Sequence, residues 1–141
     1  MPFIIHNIDL NSIIQYYPKQ EEQIMNHNNL ITRQDTQFVL VHFTGNESSS
    51  YEQIKKSHLD EGEPEIGYHF IITPSGTTLM GRHVSKIGFH HPELDEISIG
   101  ICAIGNRDEM SDEQSIALTL LLENLKTDYP SLETVKYLYK I

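Results

Sequence analysis

Phe38-Val39-Leu40-Val41 is a continuous apolar run without alternation, and it constrains this chain more than any other feature. A strand of that kind has to be covered on both faces, which calls for a sheet with helices packed against it. The run leads into His42-Phe43-Thr44-Gly45-Asn46, a loop signal. Ser49 and Glu52 have capping-box spacing and predict a helix reaching about Leu59, stopped by Gly62 and Pro64. A second strand is predicted over Ile66 to Thr73 and a third over Thr78 to Arg82. Pro74-Ser75-Gly76-Thr77 turns between them, giving a hairpin.

Residues 83–96 read as a loop, and Ile97 to Ile104 as a fourth strand ended by Gly105-Asn106. Ser111 and Gln114 form a further capping box. Ile116, Leu118, Leu121, Leu122 and Leu125 then line a helix that ends near Tyr129-Pro130. Thr134 to Tyr139 reads as a short last strand. Residues 1–35 are polar and weakly periodic, with Ile13, Ile14, Tyr16 and Tyr17 placed to cover one edge of a core before Pro18. The expectation is one α/β domain over residues 1–141: a variable segment to residue 35, then a core with a single mixed sheet flanked by helices. A chain of 141 residues is long enough to bury one core.

Charge narrows the partners. Twenty acids face ten Lys and Arg, a formal net charge of -10, which opposes the phosphate neutralisation that nucleic-acid binding needs. The same balance argues against an anionic membrane surface. No apolar run approaches the roughly 20 residues that span a bilayer, and the N-terminus lacks signal-peptide character, so cytoplasmic synthesis is expected. The one cysteine, Cys102, lies in an apolar strand and reads as a small buried hydrophobe.

Eight histidines are many for this length, and their positions carry the chemistry. His42 stands where a buried strand runs out into a loop, the place where sheets of this class collect sites. It reads either as a ligand or as a polar cap on the core. Tyr68 and His69 are adjacent in a predicted strand and point to opposite faces, one to a cleft and the other to the core. His90 and His91 sit in a Gly-Pro loop, facing solvent, a cleft or a metal. His6, His27, His58 and His83 read as exposed or incidental. Neither zinc-finger nor HExxH spacing is present, and there is no GxSxG, GxxxxGK[ST] or GxGxxG motif. Paired acids such as Glu93 with Asp95, and Asp108 with Glu109, read as solvated loop charges.

In order and spacing these segments resemble the zinc-dependent N-acetylmuramoyl-L-alanine amidases, a family that includes short phage lysozyme-type enzymes and animal peptidoglycan recognition proteins. The matching pieces are Val39-Leu40-Val41-His42-Phe43-Thr44, Gly67-Tyr68-His69-Phe70-Ile71-Ile72, Gly76-Thr77, Gly81-Arg82, Gly88-Phe89-His90 and Ser98-Ile99-Gly100-Ile101. The resemblance implies that His42 is a zinc ligand and that Tyr68 stabilises the oxyanion formed at the lactyl amide. It places His90 along the substrate groove, with Thr44, Asn46 and Arg82 bordering it. Zinc would lower the pKa of bound water and polarise the amide carbonyl.

The family carries a second zinc histidine on the strand after its last helix, and a third ligand, usually Cys, some residues later. The corresponding stretch here, Thr134-Val135-Lys136-Tyr137-Leu138-Tyr139-Lys140-Ile141, holds no histidine, whereas catalytic zinc normally takes three protein ligands. The expectation is therefore an amidase-like domain that binds muramyl peptide from peptidoglycan and is catalytically impaired, with zinc as cofactor only if it is active. Two alternatives remain. One is an active amidase with ligands in a longer chain or an unfamiliar set; the other is a protein-binding inhibitor module on the same fold.

Overall fold

The computed structural model describes Ile14–Tyr16 and residues 30–138. The described elements are β1 (Ile14–Tyr16), β2 (Phe38–Phe43), α1 (Tyr51–Asp60), β3 (Phe70–Ile72), β4 (Thr78–Met80), β5 (Ser98–Ala103), α2 (Asp112–Asp128) and β6 (Thr134–Leu138). The strands form one mixed six-stranded sheet in the order β1-β4-β3-β5-β2-β6. Among the described strands only the β3–β4 hairpin is antiparallel; β2 pairs in parallel with both β5 and β6. The single mixed sheet with flanking helices expected above is what the chain forms.

The apolar run sits where its composition requires. Val39, Leu40 and Val41 are buried in β2, between neighbours on both sides. Side chains alternate across the sheet, so Val39, Val41 and Phe43 share a face with Ile99, Ile101 and Ala103 of β5. Leu118, Leu121 and Leu125 of α2 pack against that face. The opposite face holds Ile71, Cys102 and Ile104, covered by Tyr51 and Ile54 of α1. Each helix thus shields one face, giving a helix–sheet–helix sandwich.

Several boundaries move. The first helix is capped one residue later than expected, by Ser50 and Gln53 in a reciprocal capping box. Ser111 accepts from the backbone of Gln114 as expected. The Gln114 side chain, however, turns inward to donate to Ile72 O and Ile104 O at 3.1 and 2.9 Å. Two buried carbonyls at the ends of β3 and β5 need a donor more than an exposed N-cap N–H, which water can satisfy, needs an acceptor. The second strand is regular only from Phe70, although His69 N–H still donates to Gly100 O and Arg82 N–H to Tyr68 O. Ile14 to Tyr16 form an edge strand on β4. Ile13, Tyr17, Pro18, His6, His27 and Tyr139 lie outside the described residues.

Candidate functional site

Register places the site. His42 is the last residue but one of β2: its neighbours across the ladders are Cys102 on β5 and Leu138 on β6, on the face that α1 covers. The helix does not seal that face completely. A cleft of about 360 Å³ remains, lined by His42 and Phe43 of β2 and Thr44 just beyond it, by Gln53, Ile54, Ser57 and His58 of α1, and by Tyr68, Cys102 and Leu138. That volume suits a small ligand or one segment of a larger one.

Aromatic rings set the inner wall. The Tyr68 ring lies 5.3 Å from that of His42, nearly edge-on, and 5.4 Å from that of His58. Burial raises the Tyr68 phenol well above its ordinary value, so it stays a neutral donor. It bonds to the Cys102 thiol, which burial pushes up to about 12. Cys102 is the buried, unreactive residue that its apolar strand predicts.

His42 Nε2 lies 3.0 Å from His90 Nδ1. Burial, and then His91, push His42 down to about 4, so the ring is neutral at neutral pH. His90 is more deeply enclosed and is lowered further for the same first reason. Its ring rests on Gly100 and beside Gly88: a Cβ at either glycine would come within 2.5 or 2.8 Å of it. His90 therefore does not line the groove as expected. It stands behind His42 with no side-chain exposure and supports it.

The other expected residues separate. Thr44 lines the cleft, its hydroxyl donating to Asn46 O at 2.9 Å and accepting from Gly105 N–H at 2.9 Å. Asn46 is exposed beside it and uses its side chain to accept from Ser48 N–H, so it shapes the loop and is not part of the lining. Arg82 is only 3% exposed and does not border the cleft. It donates to Ile66 O, Glu65 O and Ile87 O, and pairs with Glu63 at 3.0 Å. A guanidinium with several carbonyls to satisfy ties two loops together from below.

Two residues escaped the sequence reading. His58 is neither exposed nor incidental: its Nδ1 accepts from Gly67 N–H at 2.7 Å and its ring walls the cleft. The signal was its helical spacing from Tyr51 and Ile54, which puts the three on one inward face. Asp95 is not a solvated loop charge. Its Oδ1 accepts from the N–H groups of His90 and His91 at 2.9 and 2.8 Å. Burial raises its carboxyl despite those two bonds.

The donors around His42 among the described residues do not fit the zinc that the resemblance implies there. Among the described residues no three His, Cys, Asp or Glu side chains come together to hold a metal ion. On the strand where the resemblance implies a second histidine, the residue beside His42 is Leu138, whose side chain offers no donor.

Comparison with known proteins agrees with this fold. Residues 32–137 match the Amidase_2 family, described as N-acetylmuramoyl-L-alanine amidase. The chain is 31% identical over 107 residues to the endolysin of Klebsiella phage KP32, covering 69% of this chain and 71% of that one. A solved endolysin amidase, LysCS from Clostridium intestinale, superposes with a TM-score of 0.71 at 27% identity, covering 77% of this chain and 72% of its own. Bumblebee PGRP-SA superposes with a TM-score of 0.66 at 25% identity, covering 76% and 73% of the two chains. The matched span includes β2 to β6 and every cleft residue except Leu138, and on that ground the chain belongs to the N-acetylmuramoyl-L-alanine amidase family.

Proposed function

We propose that this domain binds muramyl peptide from peptidoglycan in the His42–Tyr68–His58 cleft, without zinc-dependent hydrolysis. Family membership supports peptidoglycan as the ligand: the chain resembles both endolysins and peptidoglycan recognition proteins. The single observation that carries the non-catalytic part is Leu138 beside His42. Zinc held by one imidazole would lack the donors that make water acidic enough to attack an amide. The groove itself keeps its chemistry. Tyr68 and His58 supply hydrogen-bonding groups on a partly apolar wall, and Thr44 lies at its mouth. In this reading His42 and Tyr68 contact the ligand, Thr44 borders it, and His90, Asn46 and Arg82 position the residues that do.

A second reading, an active amidase, is favoured by one observation: the Tyr68 ring sits 5.3 Å from His42, as an oxyanion-stabilising phenol beside a metal ligand would. Elemental analysis and calorimetry separate the two. The proposal expects no bound zinc after incubation with excess metal, together with saturable binding of muramyl tripeptide that Tyr68→Phe and His42→Ala weaken. About one zinc per chain, lost in His42→Ala, would overturn the non-catalytic assignment. A wild-type domain that binds no muramyl fragment but holds a stable protein partner would instead support the protein-binding module.

A further inference from the structure

Two imidazoles that touch through one nitrogen each share a single proton, and its position decides what each ring can offer elsewhere. His42 Nε2 and His90 Nδ1 are 3.0 Å apart, so one donates and the other supplies a lone pair. The far side of His90 selects between the two arrangements. There its Nε2 is buried without a well-aligned hydrogen bond and faces Asp95 Oδ1 at 3.4 Å. That oxygen already accepts from the backbone N–H groups of His90 and His91, so it carries no proton.

If His90 held its proton on Nδ1, the Nε2 lone pair would confront an acceptor oxygen in a site with little water. Two facing acceptors there repel, with nothing to compensate them. With the proton on Nε2, the same approach is attractive. Nδ1 then becomes the acceptor, and His42 must donate from Nε2. The ring cannot avoid this choice by moving aside, because Gly88 and Gly100 seat it closely.

We propose that Asp95 is a positioning residue that fixes the tautomer of His90 and, through it, that of His42, leaving His42 Nδ1 as a hydrogen-bond acceptor for a ligand in the cleft. His58 has the complementary assignment. Its Nδ1 accepts from Gly67 N–H at 2.7 Å, so its remaining proton is on Nε2. One wall of the cleft thus carries an acceptor histidine and a donor histidine, with the Tyr68 ring 5.3 and 5.4 Å from the two. A group with both an N–H and a carbonyl, a secondary amide, satisfies that pair. The ligand half of this inference rests on the proposed binding role; the tautomer half stands without it.

The test is long-range proton–nitrogen correlation of the imidazoles in the full chain labelled uniformly with carbon-13 and nitrogen-15, each ring assigned through its bonds to its own backbone. The expected wild-type spectrum has both rings as single Nε2–H tautomers. An Nδ1–H signal for either ring overturns the proposal, even if no variant folds. Asp95→Ala should convert both rings to tautomer mixtures and weaken muramyl tripeptide binding about fivefold, the scale of one neutral hydrogen bond. Asp95→Asn keeps an acceptor oxygen and should restore the wild-type spectrum. Pure Nε2–H tautomers in a folded Asp95→Ala protein would also overturn it. Altered tautomers with unchanged affinity would remove the ligand half alone. A wild-type protein that binds no muramyl tripeptide counts against the proposed function, and the spectra still decide the role of Asp95.

Discussion

Gly100 has no room for a side chain because the imidazole of His90 occupies the space where its Cβ would stand, and His69 donates and accepts on the same few atoms. His69 is fully buried. Its Nδ1 accepts from Gly100 N–H at 2.9 Å, and its Nε2 donates to Lys86 O at 2.7 Å. Both positions are filled only while the ring is neutral, and burial pushes its pKa down to about 3 from 6.5. Because the folded value is depressed, the unfolded chain binds more protons in between. Stability is then complete above about 6.5 and declines as pH falls toward the folded value. His42, lowered to about 4, adds to the same trend. Urea unfolding followed by circular dichroism should lose stability steadily below about pH 6.5, with each such histidine contributing up to about 1.4 kcal/mol per pH unit. His69→Gln should flatten part of that slope; an unchanged slope would mean that His69 is not among the groups responsible. The sequence made the opposite-face placement of Tyr68 and His69 legible, since period two is intrinsic to extended chain. It gave no means to see what His69 would touch.

Elements are where local and long-range demands compete. The cap of α1 is satisfied within four residues of sequence, and the expectation missed only by one position, Ser50 for Ser49. At α2 the same motif is half used. Ser111 caps the helix, but Gln114 leaves the box to bond Ile72 O and Ile104 O, linking the helix to the ends of β3 and β5. Gln114 is 2% exposed, so replacing it with Leu would take the side-chain donor from two buried carbonyls, leaving Ile72 O only its bond from Ile104 N–H. Gln114→Leu should cost about 2 kcal/mol in chemical denaturation, more than loss of an exposed cap partner would. A change within experimental error would show that the carbonyls find other partners. Nothing in the local sequence separates these two uses of a glutamine, because the acceptors lie 42 and 10 residues away.

Across the whole molecule, the cleft depends on loops that the sheet does not itself hold. Arg82 supplies that hold from below. It reaches Ile66 O and Glu65 O on one loop and Ile87 O on the other, a few residues before Tyr68 and His90 respectively. It also pairs with Glu63 at 3.0 Å and Glu65 at 3.6 Å. Removing the cation takes the Arg82 guanidinium away from the carboxylate of Glu65, which is 6% exposed, and from three loop carbonyls. Arg82→Gln should destabilise the domain by about 3 kcal/mol and speed amide exchange in both loops. Exchange that accelerates uniformly over the whole sheet would show a global role and no selective one.

The sequence by itself determined the architecture, because binary pattern, turn residues and caps act over a few neighbouring positions. A doubly covered strand at Phe38–Val41, a glycine turn at Gly76 and a leucine-rich helix leave few ways to build a sheet. It also placed His42 where a buried strand runs out into a loop, and Tyr68 within the next strand on the face opposite His69. Tertiary structure alone decided what those residues face. The parallel pairing of β2 with β6 sets Leu138 beside His42, and the return of the loop over Gly100 brings His90 and Asp95 behind it. The contacts of His42 with His90 and Leu138 join positions 48 or more residues apart, so they are fixed by strand register and packing, which local periodicity does not encode.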